Sequence, residues 1–482
     1  MSETSILIRG VRILAGAQAA ATPTGDILIR DNRIVAVGEV PPQPPGSIDR
    51  EIDGRGLLAA PGLVNAHMHS QSSTMSGFAD GLSHPAFMWL TQAHTSRRTP
   101  QEIRLAVLLS AVQMLTTGTT ALIDHFPGQR FSTADMDAVL AAWEETGLRA
   151  TLAMRFFDGV FADILPAGID VPASVTDLVS GSGLLAPHPL AQLQEQMPDL
   201  VARWHGRGGR IAVCPAPSNP DRCSDEALVF CAELAQRHDL ALHTHLLETQ
   251  AQARIARQRY GESTLAHLER LGILSERWSC AHSIWLEDDD IALMARRGAI
   301  AVHNPESNAR IGTGRMRTPE MLAAGVPIAL GTDGSGANDN LVMQEAMRGA
   351  ALLHRSDLPD RRHWVSARDA LRMATLEGAR AIRLAGQLGE IAPGQLADIV
   401  LYRLDAPWWR PLNDAASQLV FAETGAAVTT AIVDGRVVLD QGRITTFDAQ
   451  AALAEIEGME ASLRLRNADL FAAADAIARA VR

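Results

Sequence analysis

The sequence predicts an α/β fold, a (β/α)8 TIM barrel with a small composite β-sandwich formed by both termini. In the middle of the chain, short apolar strands alternate with helical stretches in about eight units, the number that closes a parallel barrel. At both ends, short strands are separated by Asp-Asn, Pro-Gly and Asp-Gly turns. A length of 482 residues accommodates a barrel and an accessory domain.

These patterns predict four segments along the chain. Residues 1–60 and 386–445 supply the two parts of the β-sandwich, and residues 61–385 form the barrel. Residues 446–482 form a helical tail, because they are rich in Ala, Leu, Glu and Arg with Gly458 as the one interruption. The predicted barrel strands contain, in order, PGLVNAHMH, TTALIDH, LRATLAMRFF, GRIAVCPA, LALHTHLLE, WSCAHSIW, AIAVHNP and VPIALGTDG.

The composition excludes several classes of partner and location. A formal net charge of −12 opposes binding to a nucleic-acid backbone, which requires a basic surface. No apolar run reaches the length of a membrane span, and the first residues, MSETSILIRG, lack the pattern of a signal peptide. The cysteines show no CxxC spacing, so we expect them to be reduced and buried in a cytoplasmic protein. They are Cys214, Cys223, Cys231 and Cys280.

The absence of lysine restricts the chemistry further. All 43 basic residues are arginine. Schiff-base catalysis on a lysine is therefore excluded, and so is a carbamylated lysine that bridges two metal ions. A single metal ion is the simpler expectation.

Two histidines at the end of the first barrel strand predict a metal site. Side chains alternate along a strand, so His67 and His69 point to the same side and present two imidazoles to one point. An isolated His-x-His pair is more often incidental than metal-binding, so its weight depends on residues farther along the chain. The active site of a barrel lies at the carboxyl ends of its strands, which makes other strand-end residues the ones to inspect.

A second strand end carries His243, His245 and Glu248. The two histidines share one face of the strand, and a carboxylate follows three residues after the second. A lone buried histidine is usually a core residue, but this combination favours chemistry. His245 lies nearer the end of its strand and is the better metal ligand, whereas His243 is expected to support a ligand or belong to the core.

Two later strands end in His282 and Asp333. The aspartate in LGTDG is either a ligand and general base or a cap of the following loop, and the isolated motif leaves both open. Three histidines and one aspartate together supply N and O ligands suited to one divalent ion, zinc or iron(II), with room for water. A metal lowers the pKa of bound water, and a carboxylic acid at Glu248 can protonate a leaving amine. His282 can polarise the electrophilic carbon, so the constellation indicates hydrolysis at an sp² carbon.

The motifs resemble those of the amidohydrolase superfamily, specifically its aminohydrolase branch. The resemblance covers PGLVNAHMHS, DH after the second barrel strand, HTHLLET, CAHSIWL, HNPESNARIGTG, LGTDGSGANDN, LGEIAPGQLADIVL and AIVDGRVV. It implies a (β/α)8 barrel with a composite β-sandwich and an assembly of identical subunits, a dimer or larger. It implies that Glu248 shuttles protons, that His282 polarises the substrate and that Asp333 helps to deprotonate water. The implied metal ligands are His67, His69, His245 and Asp333.

Members of this branch deaminate S-adenosylhomocysteine, guanine, 8-oxoguanine and cytosine or hydrolyse s-triazines. By resemblance, the substrate contacts are Gln71, Trp89, His125, Arg155, Ser218 and Asn304, with Trp89 stacking on a planar ring and Gln71 reading its edge. The run CPAPSNPDRCS departs from the pattern of S-adenosylhomocysteine-type deaminases, because Ser218 and Asn219 stand where a histidine is expected. The stretch between His69 and Trp89 also differs, so a free heterocycle is at least as consistent as a nucleoside.

These residues predict a metal-dependent deaminase that replaces an amino group on a planar N-heterocycle (purine, pterin, pyrimidine or s-triazine) by hydroxyl or oxo. The alternatives of the same chemistry are a chlorohydrolase and a cyclic-amide amidohydrolase. Glu248 favours an amine leaving group, because chloride departs without a proton. A non-catalytic scaffold is a third possibility, but the chain keeps each expected ligand. The zinc site of the cytidine-deaminase fold is excluded, since the sequence contains no P-C-x-x-C.

Overall fold

The protein was analysed as a computed structural model that describes residues 5–19, 22–126, 131–159 and 186–480, with residues 173 and 177 between the last two ranges. Its β-strands are β1 (Ser5–Ile13), β2 (Thr24–Arg30), β3 (Arg33–Gly38), β4 (Arg50–Asp53), β5 (Leu57–Pro61), β6 (Leu63–Met68), β7 (Thr119–Phe126), β8 (Arg149–Phe156), β9 (Ile211–Pro217), β10 (Leu242–Leu246), β11 (Trp278–His282), β12 (Ile300–His303), β13 (Ile328–Leu330), β14 (Ile399–Arg403), β15 (Val428–Val433), β16 (Arg436–Asp440) and β17 (Arg443–Ile444).

The two ends of the chain share one nine-stranded sheet. Its order is β17-β16-β15-β14-β5-β1-β2-β3, and β4 pairs with β1. β5 and β14 join the N-terminal and C-terminal parts in an antiparallel register that places Pro61 opposite Ile399 and Leu57 opposite Arg403. A cluster of buried Ile, Val, Leu and Ala side chains covers one face of this sheet. The composite sheet predicted from the β-rich termini is therefore present, while the boundaries drawn between the segments stay a prediction.

The middle of the chain forms the predicted barrel. β6 to β9 and β10 to β13 form two arcs of four parallel strands. The arcs meet at two seams. The backbone N–H of His245 donates to the carbonyl of Ser218 over 3.2 Å, and that of Asp333 donates to the carbonyl of His67 over 3.0 Å. Both seams lie at the carboxyl ends of the strands, so closure of the barrel brings three of the predicted ligands together.

Helices follow the barrel strands, and others follow the C-terminal strands of the terminal sheet. In the described residues they are α1 (His84–Thr95), α2 (Pro100–Thr117), α3 (Thr133–Thr146), α4 (Leu190–Trp204), α5 (Asp225–Arg237), α6 (Gln250–Tyr260), α7 (Thr264–Arg270), α8 (Asp288–Arg297), α9 (Pro305–Arg310), α10 (Thr318–Ala323), α11 (Ser335–Asn338), α12 (Met343–Leu352), α13 (Ala367–Arg372), α14 (Gly378–Ala381), α15 (Ala415–Phe421), α16 (Ala449–Arg466) and α17 (Ala468–Ala480). A π-helical turn, Met373–Glu377, lies between α13 and α14.

The tail predicted to be helical consists of α16 and α17, which pack against α1 and α2. Asn467, between the two tail helices, donates to the backbone carbonyls of Ala93 and Ser96 at the end of α1. The cysteines are free and buried, as expected. Among the helices of the described ranges, none combines the length and hydropathy needed to cross a membrane.

Candidate active site

The predicted metal ligands share a hydrogen-bonding pattern that aims them at one point. His67 lies in β6 and is fully buried, and His69 follows one residue after the strand in extended backbone. The Nδ1–H groups of His69 and His245 donate to the carbonyls of His125 (2.8 Å) and Ser218 (2.9 Å). A carbonyl only accepts, so these bonds place the proton on Nδ1 and leave each Nε2 with a free lone pair.

The free atoms converge at distances that fit one metal ion. Nε2 of His69 lies 3.3 Å from Nε2 of His245 and 3.4 Å from Oδ1 of Asp333, and Nε2 of His67 lies 3.6 Å from that oxygen. Ligands held 2.0–2.1 Å from a tetrahedral zinc ion are about 3.3 Å apart. Nε2 of His67 has no hydrogen-bond partner in the part of the chain that the structure describes. The donor set therefore fits a divalent ion held by three imidazoles and one carboxylate.

The pKa values of His67, His245 and Asp333 favour the protonation states that bind a metal ion. Burial lowers the pKa of His67 to about 4 and that of His245 well below its ordinary value, so both imidazoles are neutral at neutral pH. Burial by itself would raise the pKa of Asp333, but the neighbouring imidazoles of His67 and His282 lower it below the usual range. Neutral imidazoles beside an anionic carboxylate are the forms in which these groups bind a metal.

Local backbone geometry holds Asp333 in place. Its φ of 58° lies in the left-handed region, and its carboxylate accepts from Ser307 Oγ (2.6 Å) and from the N–H of Gly334 (2.8 Å). A Cβ atom at position 334 would lie 2.0 Å from Ser72 Oγ, so the second glycine of LGTDG is required by close packing. Residues other than glycine that adopt this region cluster at active sites, although aspartate adopts it more readily than most.

Glu248 enters the site through a turn after β10. Leu247 has a φ of 46°, which reverses the chain, and the N–H of Glu248 donates to Oε1 of Gln252 over 2.7 Å. The carboxylate lies between two imidazoles, with Oε1 3.9 Å from Nε2 of His282 and Oε2 3.4 Å from Nε2 of His84. Burial would raise the pKa of Glu248, but these two histidines lower it to about 2.

His282 is oriented by two asparagines. Its Nδ1 lies 2.8 Å from Oδ1 of Asn308, to which it donates, and 3.3 Å from Nδ2 of Asn304. The side chain is buried, and φ is 72° at this last residue of β11. Its Nε2 is thereby directed toward Glu248. Asn308 and Ser307 were not predicted as site residues. Both lie in the motif HNPESNARIGTG, where Asn308 contacts His282 and Ser307 contacts Asp333.

A cavity is lined by Glu248, His282 and three of the four predicted ligands, namely His69, His245 and Asp333. Of the predicted substrate contacts, Gln71 and Arg155 line it. The structure adds Ser72, Phe87, Met88, Thr91 and Gln92, which were not predicted. The apolar side chains of α1 supply a surface for a planar ring, and the amide groups supply hydrogen-bonding partners for its edge.

The structure corrects the placement of Trp89. Residues 84, 87, 88 and 91 lie on one face of α1, because positions three, four and seven apart coincide on a helix. Trp89 is turned away from that face, is 2% exposed and belongs to the hydrophobic core. The aromatic residue of α1 that lines the cavity is Phe87 and not the predicted Trp89.

Three other predicted contacts lie behind the cavity wall. His125 is still within β7, fully buried, with its ring centroid 4.5 Å from that of His245. One ring nitrogen of His125 lies within 4.8 Å of the possible ligand atoms of His67, His69 and His245. Ser218 accepts hydrogen bonds from Arg155 (3.1 Å) and Arg222 (3.0 Å) through its hydroxyl. Asn304 contacts His282, so these residues support cavity and ligand side chains.

His243 occupies the supporting place expected for it. Its Nε2 lies 2.8 Å from Nδ1 of His67, and its Nδ1 lies 3.1 Å from the hydroxyl of Ser279. Contact through Nδ1 turns the Nε2 atom of His67 toward Asp333. Such contacts to the far nitrogen of a ligand histidine fix its orientation.

Comparison with known proteins agrees with this geometry. Residues 58–438 match the model of the amidohydrolase family. The chain is 34% identical over 473 residues to 5'-deoxyadenosine deaminase of Methanothermobacter thermautotrophicus, covering 95% of this chain and 100% of the relative. It is 34% identical over 439 residues to 5-methylthioadenosine/S-adenosylhomocysteine deaminase of Moorella thermoacetica, covering 90% and 94%.

Solved structures show the same similarity. An adenosine deaminase from Xanthomonas campestris with bound zinc superposes with a TM-score of 0.81 at 26% identity, over 96% of this chain and 98% of the other. An atrazine chlorohydrolase from Arthrobacter aurescens complexed with zinc gives 0.83 at 27% identity, over 95% and 99%. The chain belongs to the amidohydrolase family and is a hydrolase that acts on carbon–nitrogen bonds other than peptide bonds.

Proposed function

We propose that the protein is a metal-dependent aminohydrolase that deaminates an aminopurine, with 6-aminopurine nucleosides as the first class to test. The observation that carries the proposal is the position of Glu248 and His282 at one cavity with four convergent metal ligands. The names of the relatives, which act on 5'-deoxyadenosine, methylthioadenosine and S-adenosylhomocysteine, support the purine ring and the nucleoside. The departure at Ser218 and Asn219 therefore does not decide against a nucleoside.

The residues that would hold the ion are His67, His69, His245 and Asp333. When bound, a zinc ion lowers the pKa of water toward neutrality and so supplies hydroxide at physiological pH. Asp333 is placed to accept a hydrogen bond from the attacking water and so to assist the transfer of its proton to Glu248, because the Asp333 carboxylate is anionic and held rigidly by Ser307 and Gly334. A fixed, desolvated carboxylate needs little reorganisation during proton transfer.

Glu248 and His282 act on the substrate side of the cavity. Glu248 takes a proton from the attacking water and delivers it to the amino group, because an amine leaves only after protonation. His282 stabilises the charge that develops at the ring when the tetrahedral carbon forms. Asn308 keeps its imidazole aimed at that point by accepting from Nδ1.

The cavity wall matches the substrate class. Phe87 and Met88 supply an apolar surface for a flat ring, and Gln71 supplies both an amide donor and an acceptor for its edge. Arg155 lines the same cavity and supplies a cation for a polar or anionic substituent. An amino-substituted purine combines a flat face with such an edge.

An ammonia-release assay on Glu248→Gln tests the proposal. Purified protein is assayed with adenosine, 5'-deoxyadenosine, methylthioadenosine, S-adenosylhomocysteine, free purines, pterins, pyrimidines and s-triazines, with chloride release measured in parallel. We expect ammonia from an aminopurine and a loss of about 10²–10⁴-fold in kcat for the variant, with metal content unchanged. Ammonia release that is undiminished in the variant, or chloride as the product, would overturn the proposal.

We also propose zinc as the resident ion and a cytoplasmic homo-oligomer as the working form. The zinc bound in the similar structures and the spacing of the ligand atoms support the first. Iron(II) accepts the same N and O ligands. Metal analysis of protein purified without chelators tests the identity of the ion. Light scattering of the same sample tests the oligomeric state.

A further inference from the structure

We propose that His84 is a positioning residue for Glu248, holding the carboxylate in the orientation and the anionic form in which it accepts a proton. The inference rests on the proposed function, since it concerns the residue assigned to proton transfer. His84 was not among the candidate residues recognised in the sequence.

The contact joins two elements that are far apart along the chain. His84 is the first residue of α1, and its Nε2 lies 3.4 Å from Oε2 of Glu248, which follows β10. The other oxygen of the same carboxylate lies 3.9 Å from Nε2 of His282. The carboxylate is thus held between two imidazoles, one at each oxygen, and rotation of the group would break at least one of these contacts.

Burial makes this contact effective. The side chains of His84 and Glu248 are 12% and 9% exposed. Electrostatic contacts shielded from water are much less screened by solvent and salt than contacts at the surface. His84 also lies on the face of α1 that carries Phe87, Met88 and Thr91 to the cavity. The helix that shapes the substrate cavity therefore also positions the proton-transfer residue.

The charged and titratable groups around Glu248 show how His84 affects the pKa of its carboxylate. The groups that act on its carboxylate are His84 from α1, His282 from β11 and Asp333 after β13. Asp333 is a like charge and raises the pKa of Glu248, whereas both histidines lower it. If His84 is removed, His282 is the one group of these three that still lowers the pKa of Glu248, whereas burial and the charge of Asp333 both raise it. The pKa of Glu248 then rises, and one of its oxygens loses its contact.

The experiment compares His84→Gln, His84→Lys, Glu248→Gln and the double variant His84→Gln/Glu248→Gln. His94→Gln is the matched control, because it removes another His–Glu contact of α1, between buried His94 and partly exposed Glu460 at 3.0 Å. Steady-state kcat and KM are measured across pH, with metal content and thermal unfolding of each protein.

We expect His84→Gln to lower kcat on the order of tenfold with KM nearly unchanged, and to move the acid limb of kcat/KM to higher pH. His84→Lys restores the positive charge and moves the limb back. In the Glu248→Gln background, His84→Gln has no further effect on kcat, because His84 acts through Glu248. His94→Gln leaves the pH profile unchanged.

Two results would overturn the inference. One is a wild-type kcat and pH profile in His84→Gln, and the other is a loss that multiplies in the double variant. The thermal unfolding of wild type, His84→Gln, Glu248→Gln and the double variant tests the contact without any substrate: coupled changes in Tm support it, and additive changes contradict it. Failure of the proposed function is distinct, since it appears as undiminished ammonia release in Glu248→Gln alone.

Discussion

The Nδ1 atom of His282 lies 2.8 Å from the side-chain oxygen of Asn308, and this bond links the end of β11 to the helix that follows β12. The amide oxygen can only accept, so the imidazole carries its proton on Nδ1. The orientation of the His282 ring, and with it the atom presented to the cavity, is therefore set by a residue outside the cavity wall.

Asn308→Ala should release that imidazole. We expect kcat to fall about 10–100-fold with KM and metal content close to wild type, because the buried ring loses the partner of its far nitrogen. Steady-state kinetics and metal analysis measure both. Asn308→Asp is informative beside it, since a carboxylate accepts the same bond and should retain more activity than alanine. Equal kinetics in Asn308→Ala and wild type would contradict the assignment.

Ser307→Ala should weaken metal binding without removing a ligand. Its hydroxyl donates to Asp333 over 2.6 Å, and loss of such a partner lowers metal affinity about 10–100-fold. Competition with a zinc chelator measures the affinity. Ser110→Ala is the control, because that buried hydroxyl donates to the carbonyl of Ala106 within α2, far from the ligands in sequence. A chelator curve that matches wild type would exclude this supporting role.

Glu306 should make stability depend on pH. Burial, and secondly the charge of Glu345, raise the pKa of Glu306 from 4.5 to about 8. Between these values the folded protein keeps a proton that the unfolded chain has released, so the free energy of unfolding falls as pH rises through this range. Glu306→Gln carries no such proton. The Tm of the variant minus that of wild type should therefore increase as pH is raised from 5 to 9. A Tm difference that stays constant over this range would show that the pKa of Glu306 is not raised.

Asn467→Ala should destabilise the contact between the tail and α1. The buried amide donates to the carbonyls of Ala93 (2.8 Å) and Ser96 (2.9 Å), which the alanine leaves without that donor. We expect a loss of about 1–3 kcal/mol in the free energy of unfolding. Arg362→Ala is the control, because its ion pair with Asp360 is exposed and contributes little. Equal losses in the two variants, measured by thermal or denaturant unfolding, would contradict the expectation.

The barrel, the terminal sheet and the grouping of the candidate metal ligands could be predicted because each depends on a local pattern. Alternation along a strand places His67 and His69 on one side, and apolar runs followed by polar residues mark the carboxyl ends of the strands. Parallel strands meet at those ends in any closed barrel. His245 and Asp333 could therefore be assigned to the same site without knowledge of the contacts between strands.

The sequence by itself determined the strand periodicity, the order of the barrel units and the residue types available for chemistry. The tertiary structure decided which face of α1 meets the cavity, so that Phe87 lines it and Trp89 enters the core. It also decided the partners of the two residues proposed to act on the substrate, Asn308 for His282 and His84 for Glu248. These contacts depend on the rotation of one packed element against another, and residues distant along the chain set that rotation together.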